Sequence, residues 1–179
     1  MSARSHLFVD GPNIDGVLGS ILRRKPRDRE RPRWDTVRDF FDITERPVFP
    51  LIGPLDDRRY AFYRTLRDLG FSVPVVKKTD VLPGNDDATD CSIINSVKCI
   101  IRGGCDDLEV TLVGHDHGYA PTLCEILRRG GDVNIACFRE ELSPDLLELQ
   151  YLGARIVDLE LDVCAFSYQL PRPKLSLYS

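Results

Sequence analysis

Short apolar runs alternate with longer amphipathic stretches along most of the chain. Apolar runs of this length are typical of buried strands, and stretches with apolar residues at helical spacing are typical of helices. The apolar runs predict strands at residues 6–10, 48–52, 71–76, 109–113, 133–138 and 155–159. The amphipathic stretches predict helices at residues 14–22, 34–41, 56–69, 87–101, 119–129 and 143–151. This alternation favours a three-layer α/β/α sandwich whose central sheet is mostly parallel.

Length and composition indicate a single globular domain. The chain has 179 residues, of which 42% are hydrophobic and 29% charged, a balance that allows a core without disulfides or metals. We assign residues 1–170 to the domain. Residues 171–179 are expected to form a flexible tail, which could contact a second copy of the chain or another protein.

The same features favour a cytoplasmic location. No apolar run approaches the length of about 20 residues that a membrane span needs, and residues 1–6 lack the apolar core of a signal peptide. The six cysteines include no CxxC pair, and most lie in apolar runs. We therefore interpret them as small buried hydrophobic residues in a reducing compartment.

Charge is distributed unevenly along the chain. The net charge is −4, but residues 23–33 read RRKPRDRERPR and carry seven basic and two acidic residues, a local charge of +5. A basic insertion on an acidic domain favours an arm that holds the phosphates of a nucleic acid, with Arg23, Arg24, Lys25 and Arg27 as its first contacts. A solvated, flexible charged loop is the alternative.

Three aspartates are expected to meet at one edge of the sheet. Asp10 ends the first predicted strand, and Asp116 follows the strand at residues 109–113. Asp90 lies near the start of the helix that precedes that strand. In open parallel sheets, ligands bind beyond the carboxyl ends of the strands. Carboxylates gathered there repel one another, and a divalent cation removes that cost. Oxygen ligands suit Mg²⁺ or Mn²⁺, which activate water and neutralise phosphoryl charge.

Two segments resemble a known family. HLFVDGPN at residues 6–13 resembles the opening strand and DxxN turn of the NYN domain, a branch of the PIN-like nucleases. TLVGHDHGYAP at residues 111–121 resembles its second signature, an apolar strand followed by SGDSDFxP, and ATDC at residues 88–91 matches the GVDV segment between them. The resemblance covers residues 7–158. It implies a Rossmann-like PIN/NYN fold, divalent-metal-dependent cleavage and RNA as the usual substrate.

The resemblance also implies particular roles for individual residues. Asp10, Asp90 and Asp116 take the positions of the metal-binding, catalytic carboxylates, and Asn13 takes that of the Asn that supports the metal site or a nearby phosphate. The sequence departs from the pattern at Gly118 and Ser96, where the pattern has Asp. It also departs at Gly114, where the pattern has Ser, and at His115, where it has Gly. The site is therefore poorer in carboxylates than the family pattern.

Other polar residues near these motifs are candidates for supporting roles. Asp86 and Asp87 lie four and three residues before Asp90, so either could face the site. Asp87 is equally suited to cap the following helix. His115 and His117 could donate to phosphate or protonate a leaving group, unless they are simply exposed loop residues. Lys77 follows a predicted strand and could bind phosphate.

The leading hypothesis is a metal-dependent endoribonuclease in which metal-activated water attacks a phosphodiester. An alternative is a catalytically weak or inactive RNA-binding or scaffold module on the same fold, which Gly118 and Ser96 favour. A small-molecule or nucleotide phosphohydrolase is a third, since fold alone does not determine function. Neither GxGxxG nor a Walker motif is present to support a nucleotide cofactor.

Overall fold

Parallel strands form the centre of the molecule. The computed structural model describes residues 4–81 and 87–171. The strands are β1 (Arg4–Val9), β2 (Leu51–Gly53), β3 (Val75–Lys77), β4 (Leu108–Val113), β5 (Asp132–Cys137) and β6 (Arg155–Asp158). One sheet has the order β1-β4-β5-β6, and β2 pairs with β3 in a second. All of these pairings are parallel.

Single backbone bridges at Val48 join the two sheets into one surface. Val48 pairs with Phe8 of β1 on one side and with Ser72 on the other. The Val9 N–H donates to the carbonyl of Val48 at 2.9 Å, and the Phe49 N–H donates to Ser72 at 2.9 Å. The combined strand order is 3-2-1-4-5-6. It reverses between β1 and β4, and the crevice at such a reversal is the usual ligand site of an open parallel sheet.

Helices cover both faces of this surface. They are α1 (Gly11–Leu22), α2 (Trp34–Phe40), α3 (Asp57–Asp68), α4 (Ala88–Arg102), α5 (Ala120–Arg128) and α6 (Pro144–Glu148). Buried side chains of α1, α2 and α3 share one apolar core with one face of the sheet. Those of α4, α5 and α6 share a second core with the opposite face. The predicted three-layer α/β/α architecture with a mostly parallel sheet is confirmed.

The structure differs from the sequence prediction mainly at β2 and β3. The strand expected at residues 71–76 is reduced to an isolated bridge at Ser72 and the three residues of β3. The strand expected at residues 48–52 is divided in the same way. Pro50 and Pro74 lie at these breaks, and proline has no N–H to donate to a ladder. The helix expected at residues 143–151 ends at Glu148 and continues as a 3-10 turn to Leu152.

Half of the cysteines are buried as the apolar pattern predicted. All six are free thiols: Cys91, Cys105 and Cys137 are buried, Cys124 is half-buried, and Cys99 and Cys164 are exposed. In residues 4–81 and 87–171, no helix combines the length and the apolar character needed to cross a membrane. The expected tail at residues 171–179 lies, apart from Pro171, outside the described residues.

Candidate active site at the carboxyl edge of the sheet

Asp10 lies at the point where the strand order reverses. It follows β1 directly, and its N–H donates to the carbonyl of Val113 at the end of β4 at 3.0 Å. Its Oδ1 accepts the N–H of Asn13 at 3.1 Å, so the carboxylate caps α1. Only 2% of the residue is exposed. The backbone therefore holds a buried carboxylate in the crevice between β1 and β4.

Tyr119 joins Asp10 to Asp90. Asp90 lies in the first turn of α4, and its contact with Tyr119 places that turn at the same edge. The Tyr119 hydroxyl lies 2.9 Å from Oδ2 of Asp10 and 2.6 Å from Oδ1 of Asp90. Tyr119 itself is buried. Three chain segments that are distant in sequence thus meet around one hydroxyl group.

The two contacts of Tyr119 require a proton on one of the carboxyl groups. The hydroxyl has a single proton and can donate to one oxygen only. Burial, reinforced by the charge of Asp90, raises the pKa of Asp10 to about 8. Burial also raises the pKa of Asp90, with smaller contributions from Asp116 and Asp87. We therefore assign the shorter contact to donation from Tyr119 to ionised Asp90, and the proton of the pair to Asp10.

Asp116 lies beside this pair but is oriented differently. Its Oδ1 accepts the N–H of Gly118 at 2.7 Å and lies 3.3 Å from Nδ1 of His117. About 37% of its side chain is exposed. The charge of Asp116 acts on Asp90, as the pKa of Asp90 reflects. Asp116 therefore forms the solvent-facing side of the acidic cluster, and Asp10 forms its buried side.

The described residues do not form a ready-made metal cage. Within residues 4–81 and 87–171, no group of three His, Cys, Asp or Glu side chains is placed to hold a metal ion. Asp10 and Asp90 are in contact through Tyr119, but Asp116 is directed at its own loop. In place of the single convergent triad expected from the sequence, the structure thus has a close pair, Asp10 and Asp90, with Asp116 beside it.

Asn13 and His115 connect the strand ends behind the carboxylates. Oδ1 of Asn13 accepts the backbone N–H of His115 at 3.0 Å and lies 3.0 Å from its Nδ1. Nε2 of His115 accepts the N–H of Phe138 at 2.8 Å. Nε2 is therefore unprotonated and Nδ1 carries the hydrogen, so the ring is neutral. Burial lowers the pKa of His115 to about 4, which agrees with this assignment.

The expected role of His115 as a phosphate donor or general acid needs correction. The residue is 4% exposed, its ring stacks on Phe138 with centroids 5.6 Å apart, and both ring nitrogens have protein partners. The burial of His115 also contradicts the alternative, which was an exposed loop histidine. His115 and Asn13 hold the ends of β1, β4 and β5 together, and so position Asp10 and Asp116.

The remaining supporting candidates lie at the rim or outside the described residues. Asp87 caps α4 by accepting the N–H of Thr89 at 2.5 Å, which is the capping role considered above. His117 has a side chain that is 68% exposed beside Asp116. Lys77 is exposed at the end of β3. Asp86 lies outside the described residues.

The basic segment of residues 23–33 is folded, unlike the flexible loop that was the alternative. Arg24 forms two hydrogen bonds with Glu30, at 2.7 and 2.6 Å. Glu30 is 2% exposed and also accepts the N–H of Arg27. The hydrogen bonds from Arg24 lower the pKa of Glu30 to about 2. Arg24 is therefore engaged in the fold, which corrects its expected role as a free phosphate contact.

The second half of the basic segment returns to the carboxyl edge. Arg31 pairs with Asp15 in the first half of α1 at 2.8 Å. Asp28 accepts a hydrogen bond from Arg58 at the start of α3 at 2.7 Å. Arg23, Lys25 and Arg27 of the same segment are exposed. The segment thus presents free cations while its paired residues fix it against α1 and α3.

Sequence reasoning did not identify Tyr119 as a functional residue. The SGDSDFxP pattern has Phe at the position of Tyr119, just as it has Asp at the position of Gly118. The exchange of Phe for Tyr was the available signal, because a hydroxyl on a buried ring needs a polar partner. In this chain the Tyr119 hydroxyl reaches the site from this turn, whereas the pattern has a carboxylate one residue earlier, at the position of Gly118.

Comparisons with known proteins give a fold and no activity. No model of a known protein family matches the chain, and no curated protein matches it. Among solved structures, the chain is similar to the crystal structure of a protein of unknown function from Vibrio parahaemolyticus, with a TM-score of 0.66 and 16% sequence identity. The match covers 88% of this chain and 93% of that one. At this identity the likeness shows that the two share a fold.

Proposed function

We propose that this protein is a divalent-metal-dependent ribonuclease of the NYN branch of the PIN-like nucleases. The observation that carries the proposal is the meeting of Asp10 and Asp90 at one hydroxyl, with Asp116 beside them, at the reversal point of the sheet. Ligands of open parallel sheets bind at this point. A cytoplasmic location and RNA as the substrate belong to the same proposal.

The side chains present fit Mg²⁺ or Mn²⁺. The cluster offers carboxylate oxygens, which these hard cations prefer. Asp10 and Asp90 carry raised pKa values because burial and the charge of neighbouring carboxylates disfavour their ionised forms. A cation would relieve that cost. Asp90 and Asp116 would hold it from the open side and Asp10 from the buried side. When bound, it would neutralise charge on a phosphodiester and supply an activated water.

The protein residues have separable tasks in this proposal. Asp10, Asp90 and Asp116 supply negative charge at fixed positions, and the Asn13–His115 pair keeps two of the strand ends in register. The exposed cations Arg23, Lys25 and Arg27 would contact RNA phosphates. Positioning and charge neutralisation account for most catalysis of phosphoryl transfer, so a site of this kind needs no protein nucleophile.

A second candidate is an RNA-binding or scaffold module with weak or no catalysis. It is favoured by the protein contacts that both oxygens of Asp10 already make, with the Asn13 N–H and with Tyr119. The replacement of a pattern carboxylate by Gly118 favours it as well. The two candidates differ in one observable, which is whether bound RNA is cleaved when Mn²⁺ is added.

The test is cleavage of labelled single-stranded RNA with Mn²⁺ and with a chelator. The proposal predicts cleavage that requires Mn²⁺ and that Asp90→Asn and Asp116→Asn each reduce at least ~100-fold, the scale of losing one electrostatic contact to the transition state. Asp106→Asn, at an exposed position away from this edge, is the matched control and should retain full activity. RNA binding without cleavage would support the scaffold candidate, and cleavage of mononucleotides alone would support a phosphohydrolase.

A further inference from the structure

One face of α3 carries arginine and tyrosine side chains that the metal site does not use. Tyr60, Tyr63, Arg64 and Arg67 follow one another at helical spacing, and we call them the Tyr–Arg face of α3. The helix contains four arginines and two aspartates, so its net charge is +2. The whole chain is −4. This face is therefore a basic surface on an acidic protein.

The aromatic side chains of this face form a short stack. The rings of Tyr60 and Tyr63 are stacked, with centroids 5.8 Å apart and planes 16° apart. The guanidinium of Arg67 lies 5.8 Å from the Tyr63 ring centroid and donates to the Tyr63 hydroxyl at 3.1 Å. Along α3 the order of these side chains is Tyr60, Tyr63 and Arg67, so Tyr60 forms one end of the stack. That residue is 54% exposed, so its ring is available to a further flat group.

Further cations and an open depression lie next to the stack. Arg46 donates to the backbone carbonyls of Gly70 and Phe71, each at 3.2 Å, which fixes its guanidinium near the C-terminal end of α3. A surface depression of about 240 Å³ lies between Arg46, Tyr63, Arg67 and residues 72–74. Among residues 4–81 and 87–171, no acidic side chain lines this depression. An anionic ligand that also carries flat rings matches this combination of groups.

The Tyr–Arg face begins at the same sheet edge as the acidic cluster. α3 follows β2, and the Val48 bridge places that part of the chain beside β1, which leads into Asp10. Arg58, at the start of α3, pairs with Asp28 of the basic segment at 2.7 Å. A nucleic-acid strand bound along α3 would therefore lead past the basic segment toward the crevice between β1 and β4.

We infer that the Tyr–Arg face of α3 is a platform for single-stranded RNA. Tyr60 stacks on an unpaired base, and Arg64 and Arg67 contact the neighbouring phosphates. Stacking on aromatic side chains combined with a basic track is the general means of binding single strands without base-specific hydrogen bonds. A duplex hides its base faces, so it cannot use this stack. The inference deepens the proposed function and rests on it for the identity of the ligand as RNA.

The test measures the binding of a fluorescently labelled single-stranded RNA by fluorescence anisotropy. A chelator is present throughout, so that cleavage cannot occur. Tyr60→Ala should weaken binding roughly tenfold, the scale of one stacked base. Tyr60→Phe keeps the ring and should bind like the wild type. Tyr151→Ala, at an 83% exposed tyrosine of the opposite layer, is the matched control and should also bind like the wild type. Because Tyr60 is more than half exposed, its truncation should leave the melting temperature unchanged.

A strand of the same length that lacks bases separates stacking from phosphate contacts. The wild type should bind this abasic strand roughly tenfold more weakly than RNA, and Tyr60→Ala should bind the two strands equally. Arg64→Ala should weaken the binding of both the RNA and the abasic strand to the same extent, and should reduce the salt dependence of binding. Arg128→Ala, at an exposed arginine on α5, should change neither the affinity nor its salt dependence.

The outcomes distinguish this inference from the proposed function. Equal RNA binding by wild type and Tyr60→Ala, in a protein that cleaves RNA with Mn²⁺, overturns the platform and leaves the nuclease intact. Tyr60-dependent binding without any cleavage supports the platform and contradicts the nuclease. A wild type that binds no RNA overturns both.

Discussion

Replacing Asp10 with Asn should change how the stability of the metal-free protein depends on pH. In the folded state the pKa of Asp10 is raised from 3.8 to about 8, mainly by burial. The folded protein therefore binds more protons than the unfolded chain between these two values, and its stability falls as the pH rises through that window. Asn resembles protonated Asp: its amide can donate to Tyr119, and its oxygen can still cap α1.

The size of the effect follows from the pKa of Asp10. One pKa unit corresponds to about 1.36 kcal/mol. Between about pH 6 and about pH 8, the unfolded carboxyl is fully ionised while the folded one goes from protonated to half ionised. The wild type should lose about 2 kcal/mol of unfolding free energy over this interval on account of Asp10. Asp10→Asn has no carboxyl group to ionise at this position, so it should not lose this part of the unfolding free energy. It should therefore be the more stable protein at about pH 8.

Urea denaturation in a chelator at both pH values measures this difference. Asp106→Asn, which removes an exposed carboxylate, controls for the general effect of charge and should follow the wild type. Saturating Mn²⁺ should remove the stability loss in the wild type at the higher pH, because the cation stabilises the ionised carboxylates. Parallel pH profiles for wild type and Asp10→Asn would refute the assignment of a proton to Asp10.

Three further predictions concern the surroundings of the site. Gly118→Asp adds a Cβ 3.2 Å from Oδ1 of Asp116 without requiring a left-handed backbone, so it should destabilise the metal-free protein by roughly 1 kcal/mol. Calorimetry should show tighter Mn²⁺ binding by that variant, and unchanged Mn²⁺ binding would contradict the inference that position 118 faces the metal. Asn13→Ala leaves two donors of His115 without their acceptor and should cost roughly 2–4 kcal/mol in chemical denaturation; a cost near zero would exclude the positioning role. Glu30→Gln removes a negative charge from the basic segment and should raise RNA affinity at low salt, whereas unchanged affinity would mean that the segment does not contact RNA.

The fold was predictable because its signals are local. Apolar runs and helical periodicity located every strand and helix of the central layers, and glycines marked where several helices end. The main errors lie at Pro50 and Pro74, where a missing backbone donor interrupts an apolar run. Strand-end aspartates together with parallel topology also predicted that Asp10 and Asp90 would meet.

The parts of the site that could not be predicted depend on side-chain orientation. The neutral, buried state of His115 follows from its position between Asn13 and Phe138, which only the tertiary structure reveals. The contact between Tyr119 and two aspartates depends on a rotamer, and the motif gives a Phe at that position. The pairing of Arg24 with Glu30 likewise turns a residue that looked like a free cation into part of the fold.

The central claim is that Asp10, Asp90 and Asp116 together hold a divalent cation. Crystals soaked in millimolar Mn²⁺ and measured at the manganese absorption edge test it most directly, since the anomalous signal locates the metal independently of the protein atoms. The account predicts an anomalous peak in the crevice between β1 and β4, with oxygens of Asp90 and Asp116 roughly 2–2.5 Å away, and its loss in Asp90→Asn crystals. A peak at another position, or none in this crevice under saturating Mn²⁺, would contradict it.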